Sequence, residues 1–160
     1  MEDILNKEPV KRVKKKLCEF SSELKVIVLN SSARTAQQAA ESLNTAVGSI
    51  VKSLLFKTED GFVLCLVSGD KRCSLNKLKK IKNQKDISMA NADEVKKVTG
   101  FTIGGVSPVA HLQQLEIFID EELERFNYIF AAAGHPHCIF KINFDNLKKI
   151  TKGLKKNITE

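Results

Sequence analysis

The chain is predicted to be a mixed α+β domain, with helices packed on a largely antiparallel or mixed sheet of six or seven strands. Two observations lead there. Apolar residues make up 42% of 160 positions, enough for one domain with a real core and too many for a disordered or collagen-like chain. Segments with apolar residues at helical spacing are interspersed with short β-branched and aromatic runs, separated by Gly, Asn, Asp and Pro turn signals.

Taken in order, a first helix follows Pro9, which suits the first helical position. Val10, Val13, Leu17, Phe20 and Leu24 share its apolar face, which leaves the basic run 11–16 on the wet one. Lys25 to Leu29 reads as a strand and Asn30 to Ser32 as a turn. Thr35 to Asn44 is a second helix packing Ala36, Ala39, Ala40 and Leu43, ended by Gly48. Ile50 to Phe56 and Phe62 to Val67 form a hairpin around Glu59-Asp60-Gly61. Leu75, Leu78 and Ile81 mark a short basic helix. Asn91-Ala92-Asp93-Glu94 is a capping box, and Gly100 is placed for a left-handed C-cap. Phe101 to Ile103 reads as a strand entering Gly104-Gly105-Val106-Ser107-Pro108. Leu115 to Asp120 is a strand and Glu121 to Phe126 a helical turn. Tyr128 to Ala133 and Cys138 to Ile142 are two strands flanking Gly134-His135-Pro136-His137, and a last helix is capped by Asp145.

No apolar run exceeds six residues, far short of a membrane span, and Met1-Glu2-Asp3 opens no signal pattern, so a cytoplasmic protein is expected. Cys18, Cys65, Cys73 and Cys138 are scattered, form no C-x-x-C, and read as buried reduced thiols; Cys138, beside His137, is the one candidate nucleophile. The formal charge is +7, unevenly spread. Residues 11–16 carry five basic groups and residues 71–85 carry seven with no acid, whereas 86–124 carry eight acids and two lysines. Such a dipole fits either a face meant for a polyanion or a set of solvated lysine-rich helix faces.

Three places could hold chemistry. Glycines at 104 and 105 let backbone amides point at a carboxylate, a phosphate or a developing oxyanion, with Ser107 adding a hydroxyl and Pro108 stiffening the exit. The same residues also suit an ordinary tight turn. His135 and His137 share a loop, with His111 elsewhere; no H-x-x-x-H or H-E-x-x-H spacing supports zinc, and turn histidines or substrate contacts are the better reading. Lys52 lies within an apolar strand, on the face shared by Ile50 and Leu54, and either snorkels from a sheet edge or meets an anionic ligand.

Over about residues 30–152 these segments resemble the YbaK/EbsC family, also found as the editing insertion of bacterial prolyl-tRNA synthetases. The resemblance is carried by Thr35-Ala36-Gln37-Gln38-Ala39-Ala40, by Val51-Lys52-Ser53-Leu54-Leu55-Phe56, by Asp93-Glu94-Val95 with Gly100 to Val109, and by Ala132-Ala133-Gly134-His135. It implies a metal-independent, cofactor-free aminoacyl-tRNA deacylase acting on mischarged tRNA, tRNA(Pro) bearing a small non-cognate amino acid, in company with prolyl-tRNA synthetase. The alternative is a non-catalytic tRNA- or nucleotide-binding module of the same fold. By position, the resemblance implies that Lys52, Gly104 and Gly105 are catalytic: the lysine holds the terminal adenosine or its phosphate, and the glycine amides hold the ester oxyanion. Thr35, Val106, Ser107, Pro108, Gly134, His135 and His137 would line the substrate site. Lys14, Lys15, Lys16, Lys79 and Lys80 are expected to touch the tRNA body, the N-terminal helix (9–24) being a tRNA-binding addition. Val109-Ala110-His111 departs from the family, which more usually has a glycine soon after the proline. The Gly-His-Pro-His loop is similar to that of relatives editing alanyl-tRNA(Pro) rather than the cysteine-specific branch.

Overall fold

The computed structural model describes residues 2–160. A short helix α1 (Glu2–Leu5) leads into α2 (Glu8–Phe20), which has Pro9 in its first turn. Val10, Val13 and Leu17 are fully buried against β6, so α2 is part of the domain's core; Phe20 is exposed and Leu24 half-buried. Next come β1 (Ile27–Val28), α3 (Ala36–Leu43), a 3-10 turn (Val47–Ser49), β2 (Val51–Lys57), β3 (Phe62–Ser68) and α4 (Leu75–Lys82). They are followed by β4 (Ser88–Met89), α5 (Ala92–Thr99), β5 (Glu116–Asp120), a 3-10 turn (Glu121–Arg125), β6 (Ile129–His135), β7 (Cys138–Ile142), α6 (Phe144–Thr151) and β8 (Leu154–Lys156).

The α+β class is as the sequence predicts, but among the described residues the strands number eight and divide between two sheets. One sheet is antiparallel, in the order β1-β7-β6; the other runs β4-β2-β3-β5-β8, antiparallel at β4-β2-β3 and parallel at β3-β5-β8. A single parallel bridge, Ile50 to Phe130, joins β2 to β6. Below it the sheets part.

Burial explains the strand compositions. β3 is central and covered on both faces, so Val63 to Val67 are all 0% exposed and read as an unbroken apolar run. Leu64 and Leu66 face the main core, which lies between the sheets and includes α2, α5 and α6. Val63, Cys65 and Val67 face a second core closed by Leu78 of α4, Ile87 and Ile158. Ala39, Ala40 and Ile50 form a third cluster beneath α3.

Local chemistry fixes the ends. The Asn91 capping box is made at both bonds, and Gly100 takes φ +80° as the left-handed cap of α5. Three expected elements differ. Helix α3 is ended by Asn44, in the left-handed region at φ 53°, and not by Gly48, which lies inside the 3-10 turn that follows. Helix α6 is capped by Asn143, whose Oδ1 accepts the Asn146 N–H, and not by Asp145. The expected strand Phe101 to Ile103 is instead a turn: Gly105 N–H donates to Thr102 O at 3.0 Å, with Gly104 at φ +96°. Among the described residues no helix is long and apolar enough to cross a membrane.

Candidate functional site

A cavity of about 360 Å³ opens where β2 and β6 diverge, roofed by the start of α3 and by the 103–106 loop. Small side chains make the space: Ala33, Ala36, Ala39, Ala90, Ala131 and Ala132 stand on its wall, beside larger apolar groups of β2 and β7. No Asp or Glu lines it, and its charged residues are Arg34 and Lys52.

Strand alternation turns Lys52 away from the main core, to the side of Leu54 and Phe56. Its ammonium donates to the Lys71 carbonyl at 2.5 Å. Burial pushes its pKa below the ordinary lysine value, and nearby Asp70 partly offsets this. Asp70 is itself held by Arg125 at 2.9 Å, which keeps its carboxyl below the usual range. Lys52 is therefore a partly desolvated cation at the cavity wall, tethered to a carbonyl that a ligand can replace.

The glycine loop works differently from the sequence-based reading. The Gly105 amide is spent on Thr102 O, and Gly105 is not on the cavity wall. Its absent side chain serves close approach, since a Cβ there would lie 3.0 Å from His135 N and 3.2 Å from the Gly134 carbonyl carbon. Gly104 and Val106 do line the cavity, and among the described residues neither amide has an acceptor. Open donors beside an apolar cavity are the groups an oxyanion would meet. Of the two glycine amides expected as donors, that of Gly104 is open at the cavity and that of Gly105 is engaged.

His135 lines the same cavity, its backbone packed against the glycine loop at Gly105. Its Nδ1 accepts the His137 N–H at 3.1 Å, which puts the proton of the neutral ring on Nε2. Burial and then the charges of His137, Lys7 and Arg34 push its pKa below the ordinary histidine value, so the ring is neutral at pH 7. Thr35 also lines the cavity, while its Oγ1 caps α3 by accepting from Gln38 N–H.

Four residues expected in the substrate site lie off it. Ser107 is fully buried, its hydroxyl accepting from Val109 N–H and its carbonyl meeting His111 Nε2 at 2.7 Å. Pro108 lines a separate groove with Val109 to His111. Gly134 takes φ +94° and lets Pro9 of α2 pack against it, where a Cβ would come 2.8 Å from the Pro9 carbonyl oxygen. His137 points its Nδ1 at the Leu29 carbonyl of the segment after β1, 3.3 Å away. Among the described residues no group of three His, Cys, Asp or Glu is placed to hold a metal.

The basic stretches also resolve into distinct jobs. Arg12 is a structural clamp: it pairs with Glu8, donates to Ala110 O at 2.8 Å and covers the Phe101 ring. Lys14, Lys15 and Lys16 are exposed on α2. Within 71–85, Lys71 pairs with Glu122, Lys82 with Glu116, and Lys77 donates to Thr159 O. Lys79 is half-buried and Lys80 exposed on α4, which covers the second core, on the sheet face to which Lys52 also turns; neither lines the cavity. The thiols are less uniform than expected: Cys65 and Cys138 are buried, Cys73 is half-buried and Cys18 exposed.

The comparisons with known proteins decide the family. The profile of the aminoacyl-tRNA editing domain matches residues 30–150. The chain belongs to that family. This editing domain is 32% identical over 126 residues to a proline--tRNA ligase of Thermosipho africanus (strain TCF52B), a match covering 78% of this chain and 22% of that one. It thus spans about a fifth of the length of the curated ligases it matches. It is also 32% identical over 143 residues to the uncharacterized protein YwhH of Bacillus subtilis (strain 168), covering 89% of this chain and 90% of that one. A solved structure, "Crystal structure of a putative trans-editing enzyme for prolyl tRNA synthetase", superposes with a TM-score of 0.90 at 36% identity, covering 96% of this chain and 98% of that chain. The editing domain therefore has the YbaK-like fold, and a match of that extent takes in α2 as well.

Three residues of the site carry no sequence signal of their own. Arg34 is an isolated arginine in a polar stretch. Ser53 lines the cavity with a buried Oγ that has no partner, yet reads as one more strand residue. Ile103 is 63% exposed at the lip because the turn holds it out, where a strand would have tucked it in.

Proposed function

We propose that this editing domain is a deacylase acting in trans on mischarged tRNA, hydrolysing the ester between a small uncharged amino acid and the terminal ribose. The observation that carries the reading is the convergence, on one apolar cavity, of a partly desolvated Lys52, the open amides of Gly104 and Val106, and the neutral His135.

In this reading the amino-acid side chain enters among the alanines, where a charged side chain would be buried without a partner. Water adds to the ester carbonyl carbon, and the Gly104 and Val106 amides hold the oxygen as it becomes an oxyanion. Collapse expels the ribose oxygen, which takes the proton that the attacking water gives up. His135 Nε2–H donates to the ribose or the ester, and Lys52 holds the anionic end of the nucleotide. An aminoacyl ester is already activated, so positioning and oxyanion stabilisation supply the catalysis. The kinship with the Thermosipho proline--tRNA ligase supports tRNA(Pro) as the substrate and its synthetase as the functional partner.

The test is incubation of the purified protein with a panel of tRNAs, each mischarged with one amino acid, following release of free amino acid. Deacylation of small uncharged esters on tRNA(Pro), with cognate prolyl-tRNA spared, is expected. Binding of tRNA with no release across the panel would make the domain a non-catalytic tRNA-binding module.

A further inference from the structure

An esterified amino acid has lost its carboxylate, so the anion that accompanies it to this cavity is the phosphodiester chain behind the ribose. Arg34 sits at the mouth and is exposed. Among the described residues Arg12 is paired with Glu8 and Arg125 with Asp70, whereas no carboxylate pairs with Arg34 or Arg72, and of these two only Arg34 lines the cavity. Its backbone is held in place: Arg34 N–H donates to Gln38 Oε1 at 3.1 Å, and Ala33 N–H donates to Pro136 O at 2.7 Å. Its stem lies against Gly104, where a Cβ would come 3.3 Å from Arg34 Cγ. No Asp or Glu lines the cavity, so Arg34 and Lys52 are the charges that a strand entering it meets. Met89 and Ile103, 59% and 63% exposed, give the mouth an apolar lip on which a base can lie.

We propose that Arg34 is the docking cation for the last phosphodiesters of a single-stranded RNA 3′ end, drawing that strand across Gly104 so that its terminal ester enters the cavity. This rests on the deacylase reading, which it deepens by assigning the phosphate contact. A guanidinium fork matches two phosphate oxygens, and the short anchored backbone presents it without further ordering.

The experiment compares the wild type with Arg34→Ala and Arg34→Lys. One arm measures deacylation of mischarged tRNA and of the same amino acid esterified to adenosine, which has no phosphodiester. The other measures binding of a fluorescent, uncharged RNA oligonucleotide ending in CCA, across a salt series. Arg34→Ala is expected to lower kcat/KM on the tRNA about tenfold, mostly through KM, with a much smaller penalty on the adenosine ester. It should also weaken the oligonucleotide and flatten the salt slope by about 0.7, while Arg34→Lys keeps most of that slope. An equal loss on both esters, or unchanged oligonucleotide binding and slope, would overturn the proposal. A wild type that hydrolyses neither ester refutes the deacylase reading, and the binding arm then still decides the role of Arg34.

Discussion

Removing the Lys52 ammonium tests the site at its most informative atom. Lys52→Met keeps most of the stem that lies along β2 and deletes the charge, whereas Lys52→Ala removes both. In either variant the Lys71 carbonyl loses its donor, worth about 1 kcal/mol for a partly solvated hydrogen bond. That should lower Tm by about 2–4 °C in a domain of this size. The effect on activity should be much larger: if Lys52 holds the anionic end of the nucleotide, losing that charge-assisted contact should lower deacylation at sub-saturating tRNA on the order of 100-fold. Single-turnover deacylation of mischarged tRNA, with a thermal melt of the same preparation, separates the two effects. Lys52→Arg is the useful third variant, because it restores charge and tests whether the compact ammonium geometry matters. A Lys52→Met protein that folds and deacylates at the wild-type rate would refute the assignment, leaving Lys52 as a tether for the loop after β3.

The other predictions concern the loop, the histidines, metals and the basic helix. Gly104→Ala and Gly105→Ala should both cost activity, the first because φ +96° strains any side chain at Gly104, the second because its Cβ would press on the His135 backbone at 3.0 Å; wild-type activity per folded molecule in either variant would break that argument. His111 and His135 both titrate below the ordinary histidine value, burial being the first cause, so the unfolded chain binds more protons just under pH 6.5 and stability must fall as pH drops through that window. A flat Tm from pH 7 to 5.5, or a slope unchanged in a His111→Asn, His135→Asn double variant, would count against it. Activity should survive EDTA and gel filtration; loss with rescue by zinc would instead make ligands of His135 and His137, whose rings lie 5.5 Å apart. Charge reversal at Lys14, Lys15 and Lys16 should raise KM for tRNA, leave kcat alone and flatten the salt slope by roughly 0.7–0.9 per lost contact; unchanged KM would make them a solvated face.

What the sequence revealed and what it concealed divide along physical lines. Helix ends were legible where the cap is a side chain: Thr35 and Asn91 each bond the third amide of their helices. Asp145 misled because Asn143, two residues earlier, can cap as well, and starting there buries Phe144 in the main core. Strands β4 and β8 were missed because they are held by backbone pairing along β2 and β5 and carry no alternating apolar face. The parting of the sheets was out of reach too, since the Ile50–Phe130 bridge joins residues 80 positions apart. At the site, Ser107 and Pro108 shared a motif with Gly104 and Val106, but the chain turns inward there and buries both. A motif marks a stretch of backbone; it does not say which side of that backbone faces the ligand.

That distinction bears on why a hydrolase would be built without a protein nucleophile. The cavity wall offers a thiol, Cys138, but burial pushes it up to about 11. At neutral pH its thiolate fraction is then on the order of one in ten thousand. The hydroxyls do no better. Thr35 Oγ1 is engaged in capping α3, and Ser53 Oγ is enclosed, with no base bonded to it. The groups that remain are backbone amides, a lysine and a neutral imidazole, all suited to holding a substrate and a developing charge. On the deacylase reading such a site relies on the aminoacyl ester being already activated, because positioning and oxyanion stabilisation are all that these groups supply. Its selectivity then rests on which ester fits, and the alanines of α3 and β6 set that volume. Enlarging Ala132 or Ala36 to Val should therefore shift release toward smaller amino acids across a panel of mischarged tRNAs while leaving every charge-stabilising group in place; an unchanged panel would show that these alanines do not set the volume.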